Sequence, residues 1–166
     1  MRKQLPLIVA CIVVFVGACA SEAFTPNDVQ QVVDAKGAKA AIDSLYGTPE
    51  WDALISGIAS GDSDWLKVAD AIVPGSDAGS ASELKDAVAW ALPHAPDEVL
   101  RMVKDDSPWE NTCLGPPVDF PKEGPNQYFS NSIAALERMS SNAMQGAKQA
   151  CLEQLRYAAI QAEQRQ

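Results

Sequence analysis

Residues 48–75 read TPEWDALISGIASGDSDWLKVADAIVPG, and this stretch decides the fold. Thr48-Pro49 is a helix start: a capping residue precedes the proline favoured at the first helical position. From Trp51 the apolar residues recur at Leu54, Ile55 and Ile58, the i+3, i+4 and i+7 spacing that lays one stripe along a helix. Gly61 ends that helix, and Asp62 or Ser63 caps the next. Its buried set is Trp65, Leu66, Val68, Ala69, Ile72 and Val73, and Pro74-Gly75 terminates it. Two tryptophan-led helices at a 14-residue offset are too short for a solenoid repeat. They read instead as consecutive antiparallel helices with tryptophan filling the core.

The same punctuation extends in both directions. Thr25-Pro26 opens a helix carrying Val29, Val32 and Val33, and after Gly37 come Ala40, Ala41, Ile42 and Leu45. Downstream, residues 76–80 read as a loop. Ser82-Glu83-Leu84 then leads a helix through Val88, Trp90, Ala91 and Leu92 to Pro93, and Pro96-Asp97-Glu98 opens a short helix through Val99, Leu100 and Val103. Residues 105–125 carry Pro108, Pro116, Pro117, Pro121 and Pro125, which predicts an irregular loop. Residues 126–163 predict one long final helix, with Ile133, Leu136, Ala147, Cys151, Leu155 and Ala158 on one face. Nowhere do four residues alternate cleanly with β-branched types. The expected fold class is all-α: a compact array of short antiparallel helices packed against a long C-terminal helix, with the proline-rich loop pinned by a disulfide.

Residues 1–23 read as a bacterial-type export signal and residues 24–166 as a single helical domain. Arg2 and Lys3 form the charged start, and an apolar run from Leu5 to Val16, interrupted at Pro6, follows it. That run is shorter than the roughly 20 residues a membrane-spanning helix needs. Two processing routes are open. Ala18-Cys19-Ala20 and Ser21-Glu22-Ala23 are small-x-small cleavage sites for a soluble product. Alternatively, Val16-Gly17-Ala18-Cys19 resembles a lipobox, which would make Cys19 a lipidated N-terminus and the only membrane attachment. The whole chain carries a formal charge of −9; without residues 1–23 the charge is −10.

Export also disposes of the cysteines in pairs. Cys11 lies inside the signal, and Cys19 is removed or lipidated. This leaves Cys113 in the loop and Cys151 in the final helix, an even count in a disulfide-permissive compartment. A Cys113–Cys151 bond would pin loop to helix; two separate buried thiols are the alternative.

Chemistry-bearing patterns are sparse. His94, the one histidine, lies in a turn between Pro93 and Pro96, and neighbouring Asp97 and Glu98 suit a helix start. Gly61-Asp62-Ser63 resembles the nucleophile box of SGNH-type esterases over three residues. It follows a helical stripe rather than a strand, however, and no histidine comes after His94, so cap chemistry accounts for it. No catalytic residue, metal site or cofactor is assigned. The acidic balance and scattered Lys/Arg argue against nucleic acid.

Two surfaces are candidates for a protein partner. The first comprises the aromatics Trp109, Phe120, Tyr128 and Phe129, which either contact a partner or plug the loop onto the core. The second is an acidic rim of Asp62, Asp64, Asp77, Glu83, Asp86, Asp105 and Asp106, which would steer a basic partner or simply be solvated. The expectation is a binding protein of the bacterial cell envelope, of the immunity or inhibitor kind, acting on another envelope protein. The alternative is an envelope structural protein, periplasmic or lipid-anchored, that homo-oligomerises through its C-terminal helix. Mass spectrometry of the native protein tests the shared premise. The N-terminus is expected at lipidated Cys19, at Ser21 or at Phe24, and an intact Met1 would remove the export reading.

Overall fold

A computed structural model describes residues 23–103, 107–115, 124–140 and 144–164. In chain order these hold α1 (Pro26–Lys36), α2 (Ala38–Leu45), α3 (Pro49–Ala59), α4 (Ser63–Ile72), α5 (Ala78–Ala91), α6 (Pro96–Met102), α7 (Gly124–Arg138) and α8 (Gln145–Glu163). Single 3-10 turns occur at Val73–Gly75 and Thr112–Leu114. No strand occurs among the described residues, and the fold is all-α. Residues 1–22 of the expected export segment, Cys19 among them, and Phe120 lie outside the described residues, as do parts of the 105–125 loop.

The helix starts read from the sequence are realised as short hydrogen bonds to backbone groups that the first turn would otherwise leave unpaired. Thr25 N and Oγ1 donate to Asp28 Oδ2 at 2.8 and 2.7 Å, and Trp51 N donates to Thr48 Oγ1 at 3.3 Å. Asp62 Oδ1 accepts from Asp64 N and Trp65 N at 3.0 and 3.1 Å, so the Gly61-Asp62-Ser63 triplet is a helix cap. Gly61 sits at φ +80°, where its missing side chain lets the turn at His94 and Ala95 close over it; a Cβ would meet His94 Cβ at 2.9 Å.

Two expectations change. Residues 76–80, expected as a loop, contain the first turn of α5. Asp77 Oδ1 accepts from Ser80 N at 3.0 Å and Ser80 Oγ at 2.8 Å, while Asp77 N donates back to Ser80 Oγ at 3.0 Å. This is a capping box with serine where glutamate or glutamine is usual. The bonds from Ser80 hold the Asp77 carboxyl below the ordinary carboxylate range. The cap's contribution is therefore present above that range and lost as pH falls through Asp77's own lowered value.

Residues 126–163, expected as one helix, divide into α7 and α8, and the long C-terminal helix is the 19-residue α8. The carbonyls freed at the end of α7 are taken by a side chain from α8: Lys148 Nζ donates to Glu137 O at 3.2 Å and Met139 O at 2.9 Å. Arg156 adds an exposed ion pair to Glu137 at 3.0 Å. α8 thus folds back against α7.

One continuous cluster of buried side chains draws on all eight helices. Trp51, Leu54 and Ile58 supply the α3 stripe, and Leu84, Ala87, Val88 and Ala91 that of α5, the helix α3 packs against. Each large side chain fully buried here contributes about 1.5–3 kcal/mol by removal from water. Glu83 ties the same junction on its polar side, accepting from Trp51 Nε1 at 2.6 Å and Tyr46 Oη at 3.0 Å. At Gly75 the chain passes so close to the Ala38–Lys39 backbone that even a Cβ would collide with it.

The Thr112–Leu114 turn is bonded covalently to α8 through Cys113–Cys151, with a Cα–Cα distance of 5.1 Å and a sequence separation of 38. Both cysteines are 2% exposed, so the bond is shielded from reductant. Replacing both by alanine is expected to lower unfolding free energy by about 2–5 kcal/mol, because the cross-link no longer restricts the unfolded chain and two core positions lose volume. Urea unfolding under identical conditions checks this; an unchanged midpoint would contradict a stabilising role.

Candidate functional site

Segment 107–115 is held in a chain of tight turns. Glu110 N bonds Ser107 O at 3.3 Å, Thr112 N bonds Trp109 O at 3.0 Å, Leu114 N bonds Asn111 O at 3.0 Å, and Gly115 N bonds Thr112 O at 3.2 Å. Three anchors fix this coil to the helices. Cys113 is bonded to α8. Gly115, at φ +84°, lies directly on the aromatic pair of α7, where a Cβ would approach rings of Tyr128 and Phe129 at 3.1 Å. Trp109 inserts its indole, 1% exposed, and donates Nε1–H to Asp70 Oδ1 on α4 at 3.0 Å.

The other aromatics that could either meet a partner or plug the loop are also inside. Tyr128 and Phe129 are each 4% exposed and meet edge to face with centroids 5.4 Å apart; Trp90 meets Tyr128 likewise at 4.9 Å. The Tyr128 hydroxyl crosses to α5 and donates to Ala89 O at 2.9 Å, and burial pushes its phenol well above the ordinary tyrosine value. Of the four candidate contact residues, then, Trp109, Tyr128 and Phe129 plug the loop onto the core rather than offering rings to solvent. The physical reason is that the indole N–H and the phenol O–H each find an acceptor inside, so burying the ring leaves no polar atom unpaired.

What the plug does is build walls. On one side of segment 107–115, Ser107 and Trp109 join α4 and α6 around a cleft of about 510 Å³. Leu66 and Met102 are its apolar members, and Lys67, Asp70, Glu98 and Arg101 give it both signs of charge. Among the described residues, each cation is engaged by a neighbour on its own helix: Lys67 with Asp64 and Arg101 with Glu98, both at 2.7 Å. Pairs of that kind are worth only about 0.3–0.5 kcal/mol, so an incoming carboxylate or amine can replace either partner at small cost. On the other side, Pro108, Asn111, Thr112, Leu114 and Gly115 face Ser82, Lys85, Asp86 and Ala89 of α5 across a recess of about 190 Å³. Burial, with Glu83 nearby, pushes the Asp86 carboxyl above its ordinary value.

A volume near 500 Å³ with apolar members and convergent polar groups suits recognition of a small ligand or a few residues of a protein. His94 is exposed in the 92–94 turn and lines neither space, whereas Ser63 lines the larger one. Among the described residues, no three His, Cys, Asp or Glu side chains gather as a metal site, and no helix is long and apolar enough to cross a membrane. Sequence reading named the loop but not its two recesses, since Asp70 and Asp86 meet it only through the tertiary packing of α4 and α5.

Trp109→Phe keeps a ring in the plug but removes the N–H and part of the buried surface. It is expected to destabilise by about 1–3 kcal/mol, and Trp109→Ala by about 3–5 kcal/mol. Denaturant midpoints at constant slope measure both, and equal midpoints for Trp109→Phe and wild type would show that the bond to Asp70 contributes nothing. No family model, curated protein or solved structure matches the chain, so the functional reading is drawn from this geometry and from the sequence.

Proposed function

We propose that the chain is an exported helical binding protein of the bacterial cell envelope that acts on another envelope protein, in the manner of an immunity or inhibitor protein. Segment 107–115 and the recesses it walls are its contact surface. The observation that carries this reading is the three-point fixing of the segment, by Cys113–Cys151, by Trp109 on Asp70 and by Gly115 on the α7 aromatics. A surface fixed in advance loses little conformational entropy on binding, which is the property an interaction loop needs. The export-type start and the retained cysteine pair suit an oxidising compartment. The net charge of −9 favours a partner with a basic face.

A second reading has its own observation. Tyr157 and Ile160 on α8 are 63% and 53% exposed, three residues apart on one helix. They would serve an envelope structural protein that homo-oligomerises through this helix.

Envelope capture with purified protein separates the two. Leu114 is 43% exposed at the contact segment, so Leu114→Glu should leave the fold intact. The wild type is expected to retain a specific envelope protein that the Leu114→Glu variant binds at least tenfold more weakly, with light scattering giving a monomer. A stable homodimer dissociated by Tyr157→Lys, with nothing captured, would replace the first reading by the second.

A further inference from the structure

α4 and α6 leave one corner of the fold side by side. Gly61, just before the α4 cap, lies so close to the turn ahead of α6 that a Cβ on it would meet His94 Cβ at 2.9 Å and Ala95 Cβ at 3.0 Å. Asp62 and Ala95, the residues that precede the two helices, therefore stand at nearly the same level. Counting from them, Lys67 is the fifth residue along one wall of the 510 Å³ cleft and Arg101 the sixth along the other. At roughly 1.5 Å of rise per residue, the two cations differ in level by about that amount. The acids lie to either side: Glu98 is one turn before Arg101, and Asp70 is one turn beyond Lys67, beside Trp109.

Among the described residues no ion pair joins the two walls: Lys67 bonds Asp64 and Arg101 bonds Glu98, each along its own helix. Neither cation uses more than part of its set of donors in doing so. Trp109 takes one oxygen of Asp70, and the other makes no bond among the described residues. Lys67, Arg101 and Asp70 are all exposed, so a molecule in the cleft can reach them. An anion alone would meet Asp70 and Glu98, a cation alone would meet Lys67 and Arg101, and an apolar molecule would take water from all four. A molecule with one charge of each sign meets none of these objections. Its carboxylate fits between the level pair of cations, and its ammonium group fits at Asp70, about 5–6 Å further along the helix. The two charges of an amino acid sit on one carbon, which is too close, whereas the ends of two linked residues reach about 7 Å apart. Half-buried Met102 and the methylene stems of Lys67 and Arg101 would line the body of such a ligand, with Leu66 and Trp109 closed behind them. The hydroxyls of Ser63 and Ser107, also in the walls, suit its peptide group.

We propose that the cleft between α4 and α6 binds a zwitterion of dipeptide size, a short peptide with free amino and carboxyl ends, held by Lys67 and Arg101 at its carboxylate and by Asp70 at its ammonium group. Arg101 can address the carboxylate through two arms of its planar fork, while Lys67 acts from the facing wall as a point charge. Glu98 is a positioning residue, its 2.7 Å bond holding the guanidinium against the α6 wall. The site goes beyond the contact-surface reading above and needs no envelope partner.

Leucyl-leucine is titrated into the full-length protein and followed by amide chemical shifts. Three further probes accompany it: acetyl-leucyl-leucine, which lacks the ammonium charge, leucyl-leucine amide, which lacks the carboxylate, and free leucine. Saturable binding of leucyl-leucine is expected, with shifts confined to residues 63–70, 98–102 and 107–109. Each of the other three should bind about tenfold more weakly, the loss expected for one charge-assisted bond. Arg101→Gln should weaken leucyl-leucine about tenfold and leave the amide probe no weaker. Asp70→Asn, whose side-chain oxygen can still accept from Trp109, should weaken leucyl-leucine by about the same factor and leave the acetyl probe no weaker. Both variants should keep the wild-type circular dichroism. No saturable binding, shifts elsewhere, another probe binding as tightly as leucyl-leucine, or variants that weaken every probe alike would overturn the site. Binding of leucyl-leucine by a protein that captures no envelope partner would support the site while defeating the contact-surface reading; capture without probe binding would do the reverse.

Discussion

The bond between Cys113 and Cys151 is the constraint on which the arrangement around segment 107–115 depends. A nine-residue coil with four internal backbone bonds has little intrinsic order, and fixing each of its residues opposes folding by about 1–2 kcal/mol of backbone entropy. Burial of Trp109 offsets part of that. The cross-link acts differently, by limiting how far the coil and α8 can separate in the unfolded chain, so that ordering them together costs less. Because Trp109 faces α4 and α6 while Thr112 and Leu114 face α5, one fixed coil becomes the shared wall of two recesses. Its placement sets the shape of both.

The local half of this architecture is legible in the sequence. Caps and stripes are short-range devices, and Thr48-Pro49, Asp62 and the Trp51-Leu54-Ile58 series do in space what their spacing says. The pairing of Cys113 with Cys151 follows from counting the cysteines outside residues 1–23. Reading fails where the deciding contact is distant or chemically unusual. α7 ends because Lys148 reaches back to the carbonyls of Glu137 and Met139, and a lysine nine residues past the break leaves no trace in local periodicity. Met139 and Met144 also stay apolar across the break because both pack against the core, which extends the stripe that suggested one helix. At α5, serine does the work of the glutamate expected in a capping box, and the first turn looks like loop composition.

The aromatics carry a related lesson. Proline-rich surroundings left Trp109, Tyr128 and Phe129 open to either role, contact or plug, and what decides for the plug is that the polar atom of a buried Trp or Tyr has a home. Asp70 Oδ1 and Ala89 O supply those homes from α4 and α5, elements 39 residues away in each case. The rings of the loop thus prop open the spaces on either side of it.

The acidic surface has two separable physical roles. Asp62 and Asp77 are satisfied locally by backbone N–H groups and a serine, which supply hydrogen bonds but no compensating unit charge. Their contribution to the long-range field therefore persists, unlike that of Asp64 or Glu98, each held against a cation. A carboxylate can be fully engaged as a cap and still attract a basic protein from beyond contact distance. That attraction is screened over about 8 Å at physiological ionic strength, so it bears on the rate of encounter more than on the strength of the final complex.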